Sequence, residues 1–489
     1  MAKIFYKPDN AWVGDLIPFS DGNQFYLYYL HDMRQGRNED NYADRTDWNL
    51  LLSDDGVTVK QLGVAIPHGG IDDCDLSCYT GSVIKGQDKQ YHLFYTAQNN
   101  RNDKFMKDGR PVQLIMHATS NDLIHWKKHY DTAFGADNIL YEVFDWRDPF
   151  VFWQEEENCY YMILAARKKG KSLKRGGCIA LCKSDDLYHW KICEPFYAPD
   201  NYLTHECPDL FKMGDWWYLL YSTFSERFET HYRMSKSLNG PWTAPIEDTF
   251  DARSFYAAKT AECNDKRIVF AWIPTKLGSS DFGRWEWGGN LIAHQLVQAD
   301  NGTLFVKPIP GLLAKFQTEL PLKMVSSDGK AIYEDGCCHI SAVDRTAYGT
   351  FHSLPKQCLL EADITFSKGI RNFGLAIHQN SDLSDGYFFR IEPFYNRIVF
   401  DLWPRCKHGV NQWYIDGDKP FQIESERGIR LTGKNLVHIK LVVDNDICVF
   451  YVDDKVAMSV RTYQLASEIW SFFAQDGTIT VSNISLKTL

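Results

Sequence analysis

The chain has 489 residues, of which 44% are hydrophobic and 24% charged, a composition that predicts well-packed globular domains. The formal net charge of -10 at pH 7 argues against a basic surface for nucleic acid or anionic membranes. No apolar run reaches the ~18 residues of a membrane span, and the N-terminal sequence MAKIFYKPDNAW has no apolar signal segment, so a cytoplasmic protein is expected.

The 13 cysteines are scattered and form no C-x-x-C pair. Cys74/Cys78 and Cys178/Cys182 come nearest to the spacing of metal ligands, but no histidine pair completes either set. We therefore expect free thiols in a reducing compartment, with no metal site and no cofactor.

An internal repeat organises the first part of the chain. Five aromatic-rich segments begin at residues 25, 91, 160, 217 and 267, and they read FYLYYLHD, YHLFYTAQ, YYMILAAR, WYLLYSTF and RIVFAWIP. A shorter segment precedes each of them: GDLIPF, YTGSVI, RDPFVF, ECPDLF and FYAAKT. The turn SNDLIHW at 120–126 returns as SDDLYHW at 184–190. Units of about four short strands, repeated in this way, predict an all-β fold with a five-bladed β-propeller over residues 1–310.

Acidic residues occupy the same place in three of these units. Asp15, Asp148 and Glu206 open the first strands of blades one, three and four. Because the first strand of each propeller blade lines the central channel, the three carboxylates are predicted to face one axial pocket. For Asp15 and Asp148 taken singly, the alternative is a cap on a strand or turn, where Asp is common.

The segment THECPDLF sets Glu206 against an apolar strand. A carboxyl group held among apolar neighbours has a raised pKa, which a general acid near neutral pH requires. Two carboxylates on either side of a glycosidic bond are the usual equipment for its hydrolysis, and they need no metal. The sequence contains no G-x-S-x-G, no P-loop and no H-E-x-x-H, so other catalytic machinery is not indicated.

The repeat ends after VKPIPGLLAKF at 306–316. We predict a linker at 311–324 and, over 325–489, alternating strands such as CLLEADITF, GYFFRIEPF and TITVSNISL. This pattern predicts that the propeller is followed by a C-terminal β-sandwich of lectin-like or jelly-roll kind.

Several of these segments resemble the motifs of glycoside hydrolase family 32, the β-fructofuranosidases. WRDPFVFW resembles the family's R-D-P motif, HECPDLF its E-C-P motif and CYTGSVI its F-S-G-S segment. FYAAKT is similar to the F-Y-A-x-x-T strand, and WGGNLIAHQL parallels W-x-G-x-x-x-x-P-R-E-L, with His294 and Gln295 in place of Pro-Arg. The likeness covers nearly the whole chain.

The resemblance implies a role for each matched residue. Asp15 would be the nucleophile, Glu206 the general acid and base, and Asp148 the stabiliser of the transition state. The predicted substrate-binding residues are Trp12, His31, Trp48, Tyr79, Ser82, Arg147, His205, Tyr256 and Trp287. Of these, Arg147 would orient the pocket, and Trp12 and Trp48 would be its apolar walls.

The first family motif is altered in this chain. Where the family has W-M-N-D-P-N-G, the sequence reads WVGDLIPF, with Gly14 and Ile17 in place of both asparagines. Two lost neutral hydrogen bonds cost roughly 1–3 kcal/mol, so we expect sucrose to be a modest substrate.

The charged loop at 31–48 is expected to supply replacement contacts, from His31 or Asp47, although a solvated surface loop is equally consistent with its charge. His205 stands where the family often has an aromatic residue, so the leaving-group side is expected to be more polar.

These inferences predict a retaining glycoside hydrolase that removes terminal β-fructofuranosyl units from sucrose or fructo-oligosaccharides by double displacement. One alternative is an inverting hydrolase related to family 43, whose two carboxyls lie about 6.5–9.5 Å apart instead of about 5–5.5 Å. Another is a carbohydrate-binding propeller without activity, which would lack one of the acids. The expected partner is a small carbohydrate, with no nucleic acid and no membrane, and a homo-oligomer is compatible with the sequence.

Overall fold

The computed structural model describes residues 4–34, 45–225, 227–327, 330–403 and 423–489. The chain forms two compact units. The first consists of Met1–Thr249, Phe255–Pro274 and Glu286–Leu304. The second consists of Phe250–Ser254, Thr275–Trp285 and Phe305–Leu489.

The first unit is a five-bladed β-propeller, which confirms the fold predicted from the repeat. Blade one contains β1 Trp12–Ser20, β2 Phe25–Asp32, β3 Asp47–Ser53 and β4 Lys60–Ile66. Blade two contains β5 Ser77–Lys85, β6 Tyr91–Gln98, the short β7 Met106–Lys107 and β8 Arg110–Pro111, then β9 Gln113–Ser120 and β10 Lys127–Phe134, with a 3-10 turn at Asp103–Phe105. Blade three contains β11 Tyr141–Gln154, β12 Cys159–Lys168, β13 Gly177–Ser184 and β14 Lys191–Tyr197. Blade four contains β15 Glu206–Met213, β16 Trp216–Thr223 and β17 Glu229–Ser235, and blade five contains β18 Tyr256–Cys263, β19 Lys266–Lys276, β20 Trp285–Gln298 and β21 Leu304–Lys307.

The first and last blades are joined by hydrogen bonding between their strands. Val13 of β1 pairs with Gly289 of β20, so blades one and five form one continuous sheet. Full closure of this kind leaves few open strand edges, which is the advantage of radial repetition.

The aromatic-rich second strands build the cores between neighbouring blades. Tyr28 and Trp48 of blade one pack with Tyr95 of blade two, and all three rings are buried. Farther round, Phe94 of blade two packs in one cluster with Trp146 of blade three. Burial of this aromatic surface explains why tyrosine and phenylalanine recur at the same place in each unit.

The repeated turn has the same geometry in both copies. In Ser120–Trp126 and in Ser184–Trp190 the serine and the aspartate accept backbone N–H hydrogen bonds. The leucine that follows, Leu123 or Leu187, has a positive φ and a buried side chain. The motif is therefore structural, because it folds the turn and anchors it in the core.

A bulge interrupts the first strand of every blade. The register shifts lie between Val13 and Leu16, Cys78 and Gly81, Arg147 and Phe150, Glu206 and Asp209, and Tyr256 and Lys259. Three residues at these bulges, Asp148, Cys207 and Ala257, have φ between 50 and 60°. Bulges re-aim side chains and are common beside active sites, so this shared feature marks one end of the propeller.

The second unit is the predicted β-sandwich. Its strands are β22 Thr318–Glu319, β23 Met324–Ser327, β24 Ala331–Glu334, β25 Cys337–Phe351, β26 Gln357–Phe366, β27 Asn372–Gln379, β28 Tyr387–Glu392, β29 Arg397–Leu402, β30 Ser425–Gly428, β31 Leu436–Asp444, β32 Ile447–Val452, β33 Val456–Arg461 and β34 Ile469–Thr488. It also contains helix α1 Pro310–Leu313 and 3-10 turns at Leu277–Ser279 and Pro393–Tyr395. The long strand β34 pairs with β25, β26 and β27 over a core in which Phe351 stacks on Trp470. No helix in the described ranges is long and apolar enough to cross a membrane.

The boundary between the units differs from the predicted one. The segment 311–324 is not a separate linker, because Thr318 of β22 pairs with Thr488 of β34 inside the second unit. The segments Phe250–Ser254 and Thr275–Trp285 lie within the sequence of the propeller but also belong to the second unit. Each contains a buried aspartate that accepts hydrogen bonds from other residues of that unit. Asp251 accepts hydrogen bonds from Ser459, and Asp281 accepts one from the Tyr387 hydroxyl at 2.6 Å. Such long-range partners leave no local pattern in the sequence.

Candidate active site

The three predicted acids converge at the bulged end of the propeller. Cys207, which follows Glu206, lies between the other two: its Sγ is 3.7 Å from Asp15 Oδ2 and 3.6 Å from Asp148 Oδ2. The Cys207 N–H donates to Asp148 Oδ2 at 3.0 Å. Asp15 and Asp148 are only 9% and 4% exposed. The first strands of blades one, three and four therefore bring their carboxyls to one buried pocket.

Asp15 is held by donors from the two remaining blades. The Thr80 hydroxyl of blade two donates to Oδ2, and Trp272 Nε1 of blade five donates to Oδ1 at 2.8 Å. Burial raises the pKa of Asp15, the charges of Asp148 and Glu206 also raise it, and the two hydrogen bonds lower it, so that the pKa lies at about 7. Asp15 is thus oriented for reaction and only weakly acidic.

Glu206 has a different environment. Arg147 Nη2 donates to Oε1 at 2.9 Å, and the Tyr256 hydroxyl donates to Oε2 at 2.5 Å. Burial is the main cause that raises the pKa of Glu206; together with the nearby Asp148 charge, it outweighs the lowering by Arg147 and Tyr256. A raised pKa suits a group that must carry a proton near neutral pH.

Arg147 connects the acids to the surrounding structure. Its guanidinium contacts Asp145 at 2.7 Å, Glu206 at 2.9 Å and Asp148 at 3.8 Å. A second arginine, Arg167, contacts Asp145 at 3.4 Å. These contacts fix the orientation of Arg147, and its role in orienting the pocket stays a prediction.

One wall of the site contains two of the predicted tryptophans. Arg34 lies over the Trp12 ring at 3.9 Å and donates to the carbonyl of Trp287 at 3.1 Å. The Trp287 ring packs edge-on against Trp272, whose indole holds Asp15. His31 is half-buried, and burial lowers its pKa. The predicted loop at 31–48 lies in part, at 35–44, outside the described residues.

Two predicted substrate contacts need correction. Trp48 and His205 are 0% exposed, so neither presents a surface to a ligand. Trp48 lies on the third strand of blade one and donates to the Tyr79 carbonyl at 3.0 Å. His205 packs against Tyr221 with ring centroids 4.6 Å apart, and it therefore gives no polar leaving-group side.

Ser82 and Tyr79 are also tied to the fold. The Ser82 hydroxyl accepts a hydrogen bond from the backbone N–H of Val151 at 3.0 Å, and so links blades two and three. Tyr79 is half-buried and packs against the core between blades one and two.

Several site residues were missed in the sequence. Thr80 lies in CYTGSVI, at the bulge position of blade two that matches Asp15 in blade one, and that position was the available signal. Trp272 lies in RIVFAWIP, and Phe228 stacks on Tyr256 with centroids 3.7 Å apart. Neither follows a spacing rule, because both reach the pocket from outside the first strands.

A basic loop also lies at this end of blade three. It joins β12 and β13, and its four cationic residues are Lys169, Lys171, Lys174 and Arg175, which follow Arg167 and Lys168 at the end of β12. Because Arg147 pairs with Ala165, the loop follows the end of β12 that adjoins Arg147 and Asp148. The Gly177 N–H donates to the Tyr202 carbonyl at 2.9 Å, which ties the loop to the segment that leads into Glu206.

The site can supply a carboxylate nucleophile and a proton donor to one bound group. No group of three or more His, Cys, Asp and Glu side chains in the described ranges is arranged as a metal site. Burial, with the charges of Asp148 and Asp15, raises the pKa of Cys207 well above its ordinary value, so that its thiol stays neutral between the two aspartates.

The chain is similar to known proteins over its whole length. Residues 6–308, more than half of the chain, match the N-terminal domain of the glycosyl hydrolases of family 32. The chain is 26% identical over 322 residues to the sucrose-6-phosphate hydrolase of Escherichia coli, an alignment that spans 62% of this chain and 63% of that protein, a little under two thirds. It is 22% identical over 507 residues to the levanbiose-producing levanase of Bacillus subtilis (strain 168), covering 96% of this chain and 86% of the levanase.

Solved structures agree on the architecture. The sucrose-6-phosphate hydrolase from Lactobacillus gasseri superposes with a TM-score of 0.73 at 18% identity, covering 100% of this chain and 92% of that one. At this level of identity the likeness establishes the fold, a propeller followed by a sandwich.

Proposed function

Since the chain belongs to family 32 of the glycosyl hydrolases, we propose that it hydrolyses terminal β-fructofuranosyl units of sucrose or fructo-oligosaccharides with retention of configuration. The observation that carries this proposal is the buried pocket in which Asp15 and Glu206 both have raised pKa values but different partners. A propeller that only binds carbohydrate has no need to bury three acids together. Because the chain belongs to family 32, we no longer consider the alternative that it is an inverting hydrolase related to family 43.

In the proposed first step, the Asp15 carboxylate attacks the anomeric carbon. The glycosidic C–O bond breaks, and the leaving oxygen takes the proton of Glu206, which leaves a fructosyl ester on Asp15. In the second step Glu206 removes a proton from water, whose oxygen attacks the same carbon and releases Asp15. The two steps together consume only the glycoside and one water molecule, and they regenerate the Asp15 carboxylate and the protonated Glu206.

The donors around the pocket suit these roles. Thr80 and Trp272 hold both oxygens of Asp15, so that the carboxylate is oriented before substrate binds. Tyr256 and Arg147 hold Glu206 from two sides. Asp148, fixed by Cys207, is proposed to accept hydrogen bonds from sugar hydroxyls as positive charge develops on the ring.

The test is a product screen on sucrose, short inulin and levan chains, and aryl furanosides. We expect fructose release from at least one β-fructofuranoside, with β-fructofuranose as the first product seen by NMR. Release of the α-anomer first would contradict Asp15 as nucleophile, and activity only on aryl arabinosides or xylosides would contradict the fructosyl specificity.

The basic loop between β12 and β13 favours a second candidate substrate, a phosphorylated sucrose. Lys169 to Arg175 are exposed, and this cationic segment stands out in a chain with a net charge of -10. Lysine and arginine at the entrance of a pocket raise the local concentration of anionic substrates. The support is this local charge together with the similarity to two proteins named sucrose-6-phosphate hydrolase.

Comparison of kcat/KM for sucrose 6-phosphate and sucrose tests this candidate. Changing Lys174→Ser with Arg175→Ser should lower the value for the phosphorylated sugar about fivefold or more, which corresponds to about 1 kcal/mol. The kcat/KM for sucrose should be unchanged in this variant. The matched control is Lys89→Ser with Lys127→Ser, since these lysines are exposed or nearly so at the other end of blade two. A preference for unphosphorylated sucrose would overturn the second candidate.

We also propose a cytoplasmic location, which the cysteines support because every one in the described ranges is a free thiol. Fractionation of the native host tests it. A homo-oligomer stays a prediction, which light scattering of the purified protein tests.

A further inference from the structure

The space beside the nucleophile is filled from a different blade. A Cβ atom built on Gly14 would lie 2.2 Å from Cη2 of Trp287, 2.7 Å from Cζ2 and 2.9 Å from Cζ3. Contacts below 3 Å are shorter than atoms tolerate, so any side chain at position 14 overlaps the six-membered ring of the indole. Gly14 and Trp287 are therefore a complementary pair, separated by most of the propeller in sequence.

The backbone around Trp287 is held in place. Gly288 has φ +78°, and its neighbour Gly289 pairs with Val13 next to Gly14. Arg34 donates to the carbonyls of Trp287 and Gly288, both at 3.1 Å. The pair is thus built into the strand contact that joins blades one and five.

The Trp287 ring belongs to the wall of the site. It packs edge-on against Trp272 with centroids 5.9 Å apart, and Trp272 Nε1 donates to Asp15 at 2.8 Å. Trp287 is only half-buried, so part of the ring faces outward. An apolar surface consequently stands next to the carboxylate that the proposed function makes the nucleophile.

We propose that Trp287 is a specificity-determining residue, whose indole replaces the amide that the related sequence motif carries at position 14. The enzyme then holds the glycone on this side by contact between the ring and C–H groups, without a hydrogen bond from position 14. This inference rests on the proposed function. It predicts that the accepted glycones include fructosyl units in which the hydroxyl facing this wall is absent.

Substrate analogues test the specificity. With a series of monodeoxy fructosides, one deoxy position should lower kcat/KM by less than about threefold in the wild type, since no polar partner is left unpaired there. In the double variant Gly14→Asn/Trp287→Ala, kcat/KM for the same analogue should be about tenfold or more below that for the parent substrate. The reason is that the amide introduced at position 14 loses its hydrogen-bond partner when that hydroxyl is absent. If every deoxy analogue loses tenfold or more in the wild type, the inference is overturned.

A cycle of variants tests the pair itself. Gly14→Asn alone should lower kcat/KM on the parent substrate about 100-fold or more, by displacing the ring and the adjoining nucleophile. Adding Trp287→Ala should restore at least about tenfold, a coupling of the size that contacting residues show. Equal activity of Gly14→Asn and wild type, or a double variant no better than Gly14→Asn, would contradict the pairing.

Folding gives an independent readout if Gly14→Asn does not accumulate. Gly14→Ala places a single methyl in the same space, and its thermal unfolding midpoint should be lowered and then raised again by Trp287→Ala. The matched control is Gly70→Ala, where the backbone φ is not positive and an added Cβ would meet only Asp73 Oδ2, at 3.4 Å. Because this measurement needs no substrate, it separates failure of the pairing from failure of the proposed function. Absence of any rescue in the midpoint would overturn the pairing.

Discussion

The two ends of the propeller blades use aspartate in opposite ways. At the bulged end, which we term the site end, Asp15 has its pKa raised to about 7 by burial and by two neighbouring carboxylates. At the other end, which we term the turn end, Asp122 and Asp186 occupy the repeated turns and are about half exposed. There burial raises the pKa of each aspartate, but hydrogen bonds from His125 or His189 and from backbone N–H groups together outweigh it and hold the pKa well below its usual range.

The register of the strands places these ends apart. In blade three, Arg147 pairs with Ala165, whereas Tyr160 at the other end of β12 pairs with Ser184 of the repeated turn. This contrast distinguishes an aspartate with a structural role from one with a catalytic role. Backbone donors satisfy the turn aspartates and fix their charge, while the site leaves the charge of Asp15 under-compensated and therefore available for reaction.

The largest expected effect is on turnover. Asp15→Asn should lower kcat about 10⁴-fold or more, as loss of a nucleophile does, because the amide cannot form the ester. The turn-end control Asp186→Asn should keep kcat/KM within threefold of wild type. Steady-state assays on the best β-fructofuranoside check both, and an active Asp15→Asn protein would remove the chemical distinction between the two ends.

A somewhat smaller loss is expected for Glu206→Gln. With a poor leaving group, kcat/KM should fall about 10²- to 10⁴-fold, the usual contribution of a general acid. With an activated aryl fructofuranoside the loss should be much smaller, and the alkaline limb of the pH profile should disappear because no proton can be lost from glutamine. Equal losses on both substrates would contradict the acid role.

The third prediction concerns stability and its pH dependence. The folded-state pKa of Asp15, about 7, lies above the unfolded value, so the folded protein binds the proton more tightly. The free energy of unfolding should therefore fall as the pH rises from about 4 to about 7. Asp15→Asn removes this loss and should be more stable than wild type by roughly 2–4 kcal/mol at pH 8, with little difference at pH 4.

The turn end should show the opposite sign. The pKa of Asp186 is depressed in the folded state, so its stabilisation is present above the unfolded pKa and is lost as the pH falls through the folded value. Asp186→Asn should be less stable at pH 7 by about 1 kcal/mol or less, since solvent screens a half-exposed group, and this deficit should shrink below about pH 4. Denaturant unfolding at several pH values measures both variants. The same sign for both would contradict the comparison.

The smallest expected effect is a shift in the pH profile that tests one hydrogen bond at the site end. Thr80→Val removes a hydrogen bond that lowers the pKa of Asp15, so the acid limb of kcat/KM should move to higher pH by about one unit. Thr119→Val is the control, because that hydroxyl contacts His129 next to the turn end. An unmoved acid limb in Thr80→Val would show that Thr80 does not tune Asp15.

Much of the fold could be predicted because its pattern is local. The aromatic-rich second strand recurs in every blade and the turn SxDLxHW in two of them, and this repetition sufficed to predict five blades. The sandwich was predicted for the same reason, from alternating strands and tight turns. Segments such as 250–254 and 275–285 could not be assigned, since their partners lie far away in sequence.

The candidate site was predictable only where it follows the repeat. Asp15, Asp148 and Glu206 all lie at the bulge in the first strand of a blade, although at successive positions of it, and the structure brings their carboxyls to one pocket. Trp48 was predicted as a pocket residue from the resemblance to family 32, and His205 from its place next to Glu206, but both are buried in packing. Sequence proximity does not reveal which face of a strand a bulge turns inward.

The class of this protein could be read from periodic strands and from the paired R-D-P and E-C-P segments, because both depend on residues a few positions apart. The groups that surround the nucleophile could not, because they come together only in the folded chain. Thr80, Trp272 and Trp287 meet around Asp15 and Gly14 from blades two and five. These contacts form when β20 of the last blade pairs with β1 of the first and closes the ring of blades. The pKa of Asp15 is then set by the burial and the charges that this closure creates.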